Sequence, residues 1–311
     1  MTNPKQIVAI APPMRNPLSG RLKLFGLLAA GLTLGFAWPL FGLVRHALES
    51  DLHSHALLIP FVAAYLVWRQ RNGSLPHPGS SPALAVVPFV FGLAALCALW
   101  FARGGASAIV PVDRLALNTF AYLCFIWAGA LLVFGGRLLG RFAFPAALLI
   151  FIVPMPLAVE NVVEVFFQHA SAVAASLLFT VTGSTVFQEG LMFRLPGITI
   201  WVAQECSGIR STLVLFITSL LAGQMFLKSP MKRTVLALFI IPLAILRNGL
   251  RIFTIGMLCV HIGPDMIDSP IHHRGGPLFF GLSLVPLFLL LLLLRRLERR
   301  SGGEGKHTST R

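Results

Sequence analysis

The sequence predicts an all-α polytopic membrane protein of about eight transmembrane helices, with a small interfacial helix and hairpin segment outside the bilayer. Three observations predict it. Apolar runs recur along the chain, and several reach the roughly 20 residues a helix needs to cross about 30 Å of hydrocarbon. Of 311 residues, 56% are hydrophobic and 12% charged, about half the charged fraction of a soluble domain. The basic residues stand in short clusters between the apolar runs, which is how membrane topology is written. Lipid offers no partner to open sheet edges, so helices are the expected spanning form.

Residues 1–23 are polar and basic, with four prolines, and read as a cytoplasmic tail. The apolar run 24–44 has no small-residue cleavage site at its end, so it reads as a retained first span. The second span, 56–68, is short and relies on the snorkelling side chains of Arg69 and Arg71. A Pro/Gly/Ser linker leads to span three at 83–102. Spans four and five are read at 115–134 and 142–159, around a turn flanked by Arg137 and Arg141.

Residues 160–182 are apolar on average but carry Glu160, Glu164 and Gln168 at i, i+4, i+8, one face of a helix. They read as an amphipathic interfacial helix, with a sixth full span as the alternative. Residues 183–202 alternate and contain Gly190 and Pro196-Gly197, the pattern of a small hairpin platform. Spans six, seven and eight follow at 209–226, 235–260 and 278–294, and a basic tail at 295–311. The whole of 24–294 reads as one transmembrane domain.

With both termini in the cytoplasm, the cytoplasmic segments hold 17 of the 25 Lys and Arg residues. The external segments hold six, and Arg247 and Arg251 lie inside span seven. This asymmetry predicts a multi-pass protein of a bacterial-type plasma or inner membrane. The net charge of +14 is spread through these clusters without an aromatic-interleaved basic patch, so membrane lipids and not nucleic acid are the expected partners.

That topology brings three distant segments to the outer face. Cys206 lies in Gln204-Glu205-Cys206-Ser207-Gly208 at the mouth of span six, Arg251 in the outer half of span seven, and His272 and His273 before span eight. The other three cysteines, at 97, 124 and 259, sit in apolar runs and read as packing residues. Packing is also the competing reading of Cys206. A thiol beside a cation favours its thiolate, an imidazole can move the proton, and a guanidinium can stabilise negative charge. A charge within a span is costly and marks a functional-site candidate by default, although Arg251 can also serve as a structural donor to backbone carbonyls. Arg247 lies one turn below Arg251, and Asn248 is placed to orient Arg251. Small Gly208 leaves room beside the thiol, and backbone N–H groups there can add donors at a helix start.

These motifs resemble the exosortase/archaeosortase family of membrane cysteine transpeptidases, over roughly residues 54–294. Ser54-His55-Ala56-Leu57-Leu58-Ile59-Pro60 looks like the family's second-span motif. Val153-Pro154-Met155-Pro156 and the platform after it are also similar. Glu205-Cys206-Ser207-Gly208-Ile209-Arg210-Ser211 looks like the nucleophile motif, and Asn248-Gly249-Leu250-Arg251-Ile252 like the arginine motif. His272-His273-Arg274-Gly275-Gly276 resembles the histidine motif.

The resemblance implies Cys206 as nucleophile, Arg251 as electrostatic partner and His272 as acid/base, with His273 the alternative histidine. Arg247, Asn248, Glu205 and Gly208 are possible supporting residues. It also implies secreted protein substrates with a C-terminal tripartite sorting tail, passed through a thioester to a cell-surface acceptor, often alongside exopolysaccharide production. No cofactor or metal is called for. Two rivals remain: a metal-dependent hydrolase using His53, His55, His272 and His273, and a transporter or polysaccharide-export component lined by Arg247 and Arg251.

Overall fold

A computed structural model describes residues 17–50, 52–71, 76–103, 109–268 and 276–304, without the side chains of 17, 18, 103, 205, 206, 267, 268 and 301–304. It divides into two compact units, 1–157 and 158–311. Among the described residues, six helical stretches are long and apolar enough to cross a membrane, or seven if one bent pair counts as a span. The protein is thus an all-α polytopic membrane protein, but the eight spans predicted from the sequence are not reproduced one for one.

In the first unit, α1 (Pro17–Gly35) and α2 (Ala37–Glu49) are the bent pair, at 74°. Phe36 leaves helical geometry between them. The cause is Pro39: it has no N–H to give the carbonyl of Gly35, and its ring clashes with that carbonyl. The apolar run of the first predicted span hides this break.

The long helices α4 (Pro82–Arg103) and α5 (Pro111–Arg141) pack along each other. Near its end α5 breaks at Gly135, where φ is +79° and a Cβ would stand 3.0 Å from the Gly79 carbonyl carbon, a place only a glycine accepts readily. Arg21 of α1 donates to the carbonyls of Gly79 and Val133, which closes this corner.

Predicted spans two and five are shorter than expected. They appear as α3 (Ile59–Gln70) and as α6 (Ala143–Leu148) followed by a 3₁₀ turn, Leu149–Ile152. Here Pro154 and Pro156 stop the helix that an unbroken apolar run would have continued.

A histidine pins this region. His53 is buried between α2 and a 3₁₀ turn, Ser54–Leu57. The Met155 N–H donates to His53 Nε2 at 3.2 Å, so the ring proton sits on Nδ1, facing Ser50 Oγ at 3.1 Å and His46 Nε2 at 3.2 Å. Burial, then the neighbouring His46 and His55, push the His53 pKa down from 6.5 to about 4. A protonated ring cannot accept from Met155. Between those two values the unfolded chain binds more protons than the folded one, so stability drops as the pH is lowered. The full contribution is present above pH 6.5 and is gone near pH 4. We expect a loss on the order of 2 kcal/mol across that window. Thermal midpoints of the purified protein measured against pH should show it, and His53→Gln should flatten the slope; an unchanged slope would refute the pin.

The second unit holds α7 (Leu157–Val181), three short strands, and α8 (Ile209–Phe226), α9 (Pro230–Leu238), α10 (Ile240–His261) and α11 (Gly276–Glu304). By length and composition α7 is a spanning candidate of 25 residues, which matches the alternative reading of 160–182 and not the interfacial one. Its polar stripe does not end in water: Gln168 is buried and donates to the Val202 carbonyl at 2.6 Å. The parity that placed both termini inside assumed otherwise and loses its premise.

The expected platform is present. Strands β1 (Phe187–Glu189), β2 (Met192–Leu195) and β3 (Ile198–Trp201) form an antiparallel sheet in that order, turning at Gly190 and Gly197. Alternate side chains Phe193, Leu195 and Ile200 pack on Phe179 of α7 and on Ile252, Ile255 and Cys259 of α10. Burying each large apolar side chain contributes about 1.5–3 kcal/mol. The opposite face shows Phe187, Glu189, Arg194, Thr199 and Trp201.

Where α10 passes α7, small residues set the distance. A Cβ on Gly249 would stand 2.7 Å from Ala174 Cβ and 3.1 Å from the Ala175 nitrogen. Close backbone approach of this kind is how helices associate in lipid. We expect Gly249→Val to destabilise the protein by about 1–3 kcal/mol, read as a lower thermal midpoint. Gly281→Val, at an open position, serves as the neutral control. Equal midpoints for the two variants would mean that the crossing carries no load.

Candidate active site

The candidate thiol lies on a single 3₁₀ turn, Gln204–Ser207, that delivers the chain into α8. The joint is Gly208, which closes the turn and opens the helix with φ +71° and ψ 16°. That left-handed conformation costs most side chains energy and glycine almost none. The turn is fixed from behind as well, because Gln168 holds the carbonyl of Val202 just upstream.

The carbonyl oxygen of Gly208 collects four donors. The Thr212 N–H donates at 3.0 Å as the first helical bond, Thr212 Oγ1 at 2.8 Å and Ser211 Oγ at 3.1 Å. The fourth is Arg247 Nη2 at 3.0 Å, from α10. The same Nη2 also donates to Thr212 Oγ1 at 3.1 Å. A Cβ on Gly208 would meet Arg247 Nη2 at 2.9 Å and Asn248 Oδ1 at 3.2 Å. Glycine here therefore serves both the backbone angle and the approach of a guanidinium.

Arg247 and Asn248 are buried, at 6% and 2% exposure, and Arg251 is half-buried one helical turn further along α10. The sequence pairs Cys206 with Arg251 and sets Arg247 deeper. In the structure Arg247 reaches the Cys206 turn through the backbone of Gly208. Thr212 was not singled out from the sequence; its place four residues after Gly208, able to bond back to that carbonyl, was the available signal.

The structure brings together Gly208, Arg247 and Asn248, with the main chain of Glu205 and Cys206 alongside. The side chains of Glu205 and Cys206, and all of His272 and His273, lie outside the described residues. Among the described residues, no three His, Cys, Asp or Glu side chains gather as a metal site would need.

The transmembrane exosortase family (Exosortase_EpsH) matches residues 47–289, from the end of α2 into α11. The chain belongs to the transmembrane exosortase family. That stretch spans the Cys206 turn, the α10 arginines and the histidine pair. No curated protein and no solved structure matches the chain. As an exosortase-family member with several apolar spanning helices, it is a multi-pass membrane protein.

Proposed function

We propose that this exosortase-family protein is a membrane cysteine peptidase and transpeptidase. It cleaves the C-terminal sorting tail of secreted proteins and passes the body of the protein to an acceptor at the cell surface. Cys206 is the nucleophile. Its thiolate attacks the scissile carbonyl, a C–S bond forms, and the C–N bond breaks. The leaving amine takes its proton from His272, with His273 the alternative donor. The acceptor nucleophile, or water, then attacks the thioester and releases the thiol. Arg251 stabilises the negative charge that develops on the carbonyl oxygen. Glu205, Asn248, Arg247 and Gly208 support the site, which needs no cofactor.

The observation that carries the reading is the joint at Gly208. It ties the turn bearing Cys206 to the arginine helix 39 positions away, so the two motifs form one constellation.

The orientation we propose, with Cys206 on the extracytoplasmic face of the plasma membrane, has local support independent of span parity. The α8–α9 junction carries Lys228, Lys232 and Arg233. The Glu298 carboxylate of α11 accepts from the Lys228 and Ser229 N–H groups at 2.7–3.1 Å. The basic cluster at 295–300 therefore lies at the same end as that junction, opposite the Cys206 turn. Positive charge marks the cytoplasmic end.

Hydroxylamine provides the test. It attacks thioesters, so a tailed reporter processed in its presence should leave with a C-terminal hydroxamate detectable by mass spectrometry. Processing that yields no hydroxamate and persists in Cys206→Ala would discard the thiol mechanism.

A further inference from the structure

We propose that Arg247 is a positioning residue for the candidate nucleophile: through Gly208 and Thr212 it latches the left-handed turn that sets where Cys206 stands. This deepens the thiol reading above and rests on it.

The latch has three parts. The first is an over-supplied acceptor. A carbonyl oxygen offers two lone pairs, and the first carbonyl of a helix needs one partner. Gly208 O already has the Thr212 N–H and two hydroxyls, yet a buried guanidinium is brought to it. A charge within a spanning helix costs at least about 2.5 kcal/mol on insertion scales, so ordinary helix capping does not account for an arginine there.

The second part is the reciprocal bond. Thr212 Oγ1 donates to Gly208 O and accepts from Arg247 Nη2, which closes a small ring of bonds over the turn. The third is the missing side chain. Gly208 lets Nη2 come within 2.9 Å of where a Cβ would stand, and Asn248 Oδ1 within 3.2 Å, so the guanidinium packs directly on the main chain. Gly208 is two residues from Cys206, on the same rigid joint.

The ring of bonds fixes backbone, not charge. Loss of Arg247 should therefore lower the rate of the chemical step and leave substrate binding nearly intact. It should also change how fast Cys206 is alkylated, because a wandering turn presents the thiol differently. Arg251 is distinct from this role: it is the arginine assigned above to the developing charge.

The test uses the full chain in lipid nanodiscs with a tailed peptide substrate. Kinetics are paired with chloroacetamide alkylation of Cys206, followed by mass spectrometry across pH. For Arg247→Met we expect kcat to fall about 100-fold with KM within about threefold, as for a misplaced catalytic group. Gly208→Ala should fall by a similar factor. Because both act on one joint, the double variant should be no worse than the worse single within about threefold. Thr212→Val, a nearly isosteric change that keeps the fold, should lose about fivefold in kcat, and Thr212→Ser should recover to within about twofold.

Wild-type kcat in Thr212→Val, or multiplicative losses in the double variant, would overturn the latch. Failure of the thiol reading looks different: processing would survive Cys206→Ala. An alkylation rate at Cys206 equal to wild type in Arg247→Met would overturn the latch even then.

Discussion

Cys206→Ala is expected to abolish tail cleavage, lowering kcat by at least about 10⁴-fold. The substitution removes the atom that forms the covalent bond, and the remaining groups can only bind and polarise the substrate. Deleting the nucleophile of a hydrolase characteristically leaves only that residual assistance. Cys206→Ser should be nearly as inactive, because a hydroxyl is far less acidic than a thiol and an imidazole suited to a thiol activates it poorly. Both changes are small, so thermal midpoints should stay near wild type. The measurement is the ratio of cut to uncut reporter in cells, with kcat from purified protein. Cleavage at the wild-type rate in either variant, with the tail removed at the same bond, would leave Cys206 a packing residue and refute the thiol mechanism.

Arg251→Lys is the second large effect, a loss of about 10²-fold in kcat. Lysine keeps the charge but replaces a planar fork of five donors with a point charge on a flexible stem. If the arginine aims two N–H groups at an oxygen that becomes negative only in the transition state, losing that aim costs about what losing one oxyanion donor costs, 10²–10³-fold. KM should move little, because the interaction is weak with the uncharged carbonyl. Steady-state kinetics on Arg251→Lys and Arg251→Gln settle it. If lysine matches wild type while glutamine does not, charge alone is at work and the fork is dispensable.

Much of the fold was legible because its strongest signals are long. The runs that became α4, α5, α8, α10 and α11 are long and mostly apolar, and the few charges, prolines and glycines inside them do not outweigh the helix. The failures have specific causes. Pro39 bends the first span, yet it sits within an apolar stretch whose average hides one missing N–H. Pro154 and Pro156 cut the fifth predicted span in the same way. In α7 the stripe of Glu160, Glu164 and Gln168 was read as facing water, but a polar stripe also fits a protein interior that offers a partner, and Val202 offers one to Gln168.

The candidate site was legible as a set of motifs but not as a geometry. The spacing of Arg247 and Arg251 puts both on one face of α10, and no sequence pattern states how that face is rotated toward α8. That rotation follows from packing: Gly249 lets α7 in close, and Arg247 and Asn248 then meet Gly208. The sheet was better foreseen, since Gly190 and Gly197 mark both turns and the alternation between them is unbroken.

The carboxylate of Glu298 on the backbone of Lys228 and Ser229 has a consequence for the order in which the molecule is made. The two partners lie about 70 positions apart, and the acceptor comes last. At a synthesis rate of about 5–20 residues per second, the α8–α9 junction waits roughly 4–14 seconds for the group that satisfies its amides. Until the final helix arrives, this junction relies on Arg233, which donates to the Leu227 carbonyl and to Gln224. A chain that ends within α11 before Glu298 therefore carries every motif in place with its last clasp unfastened.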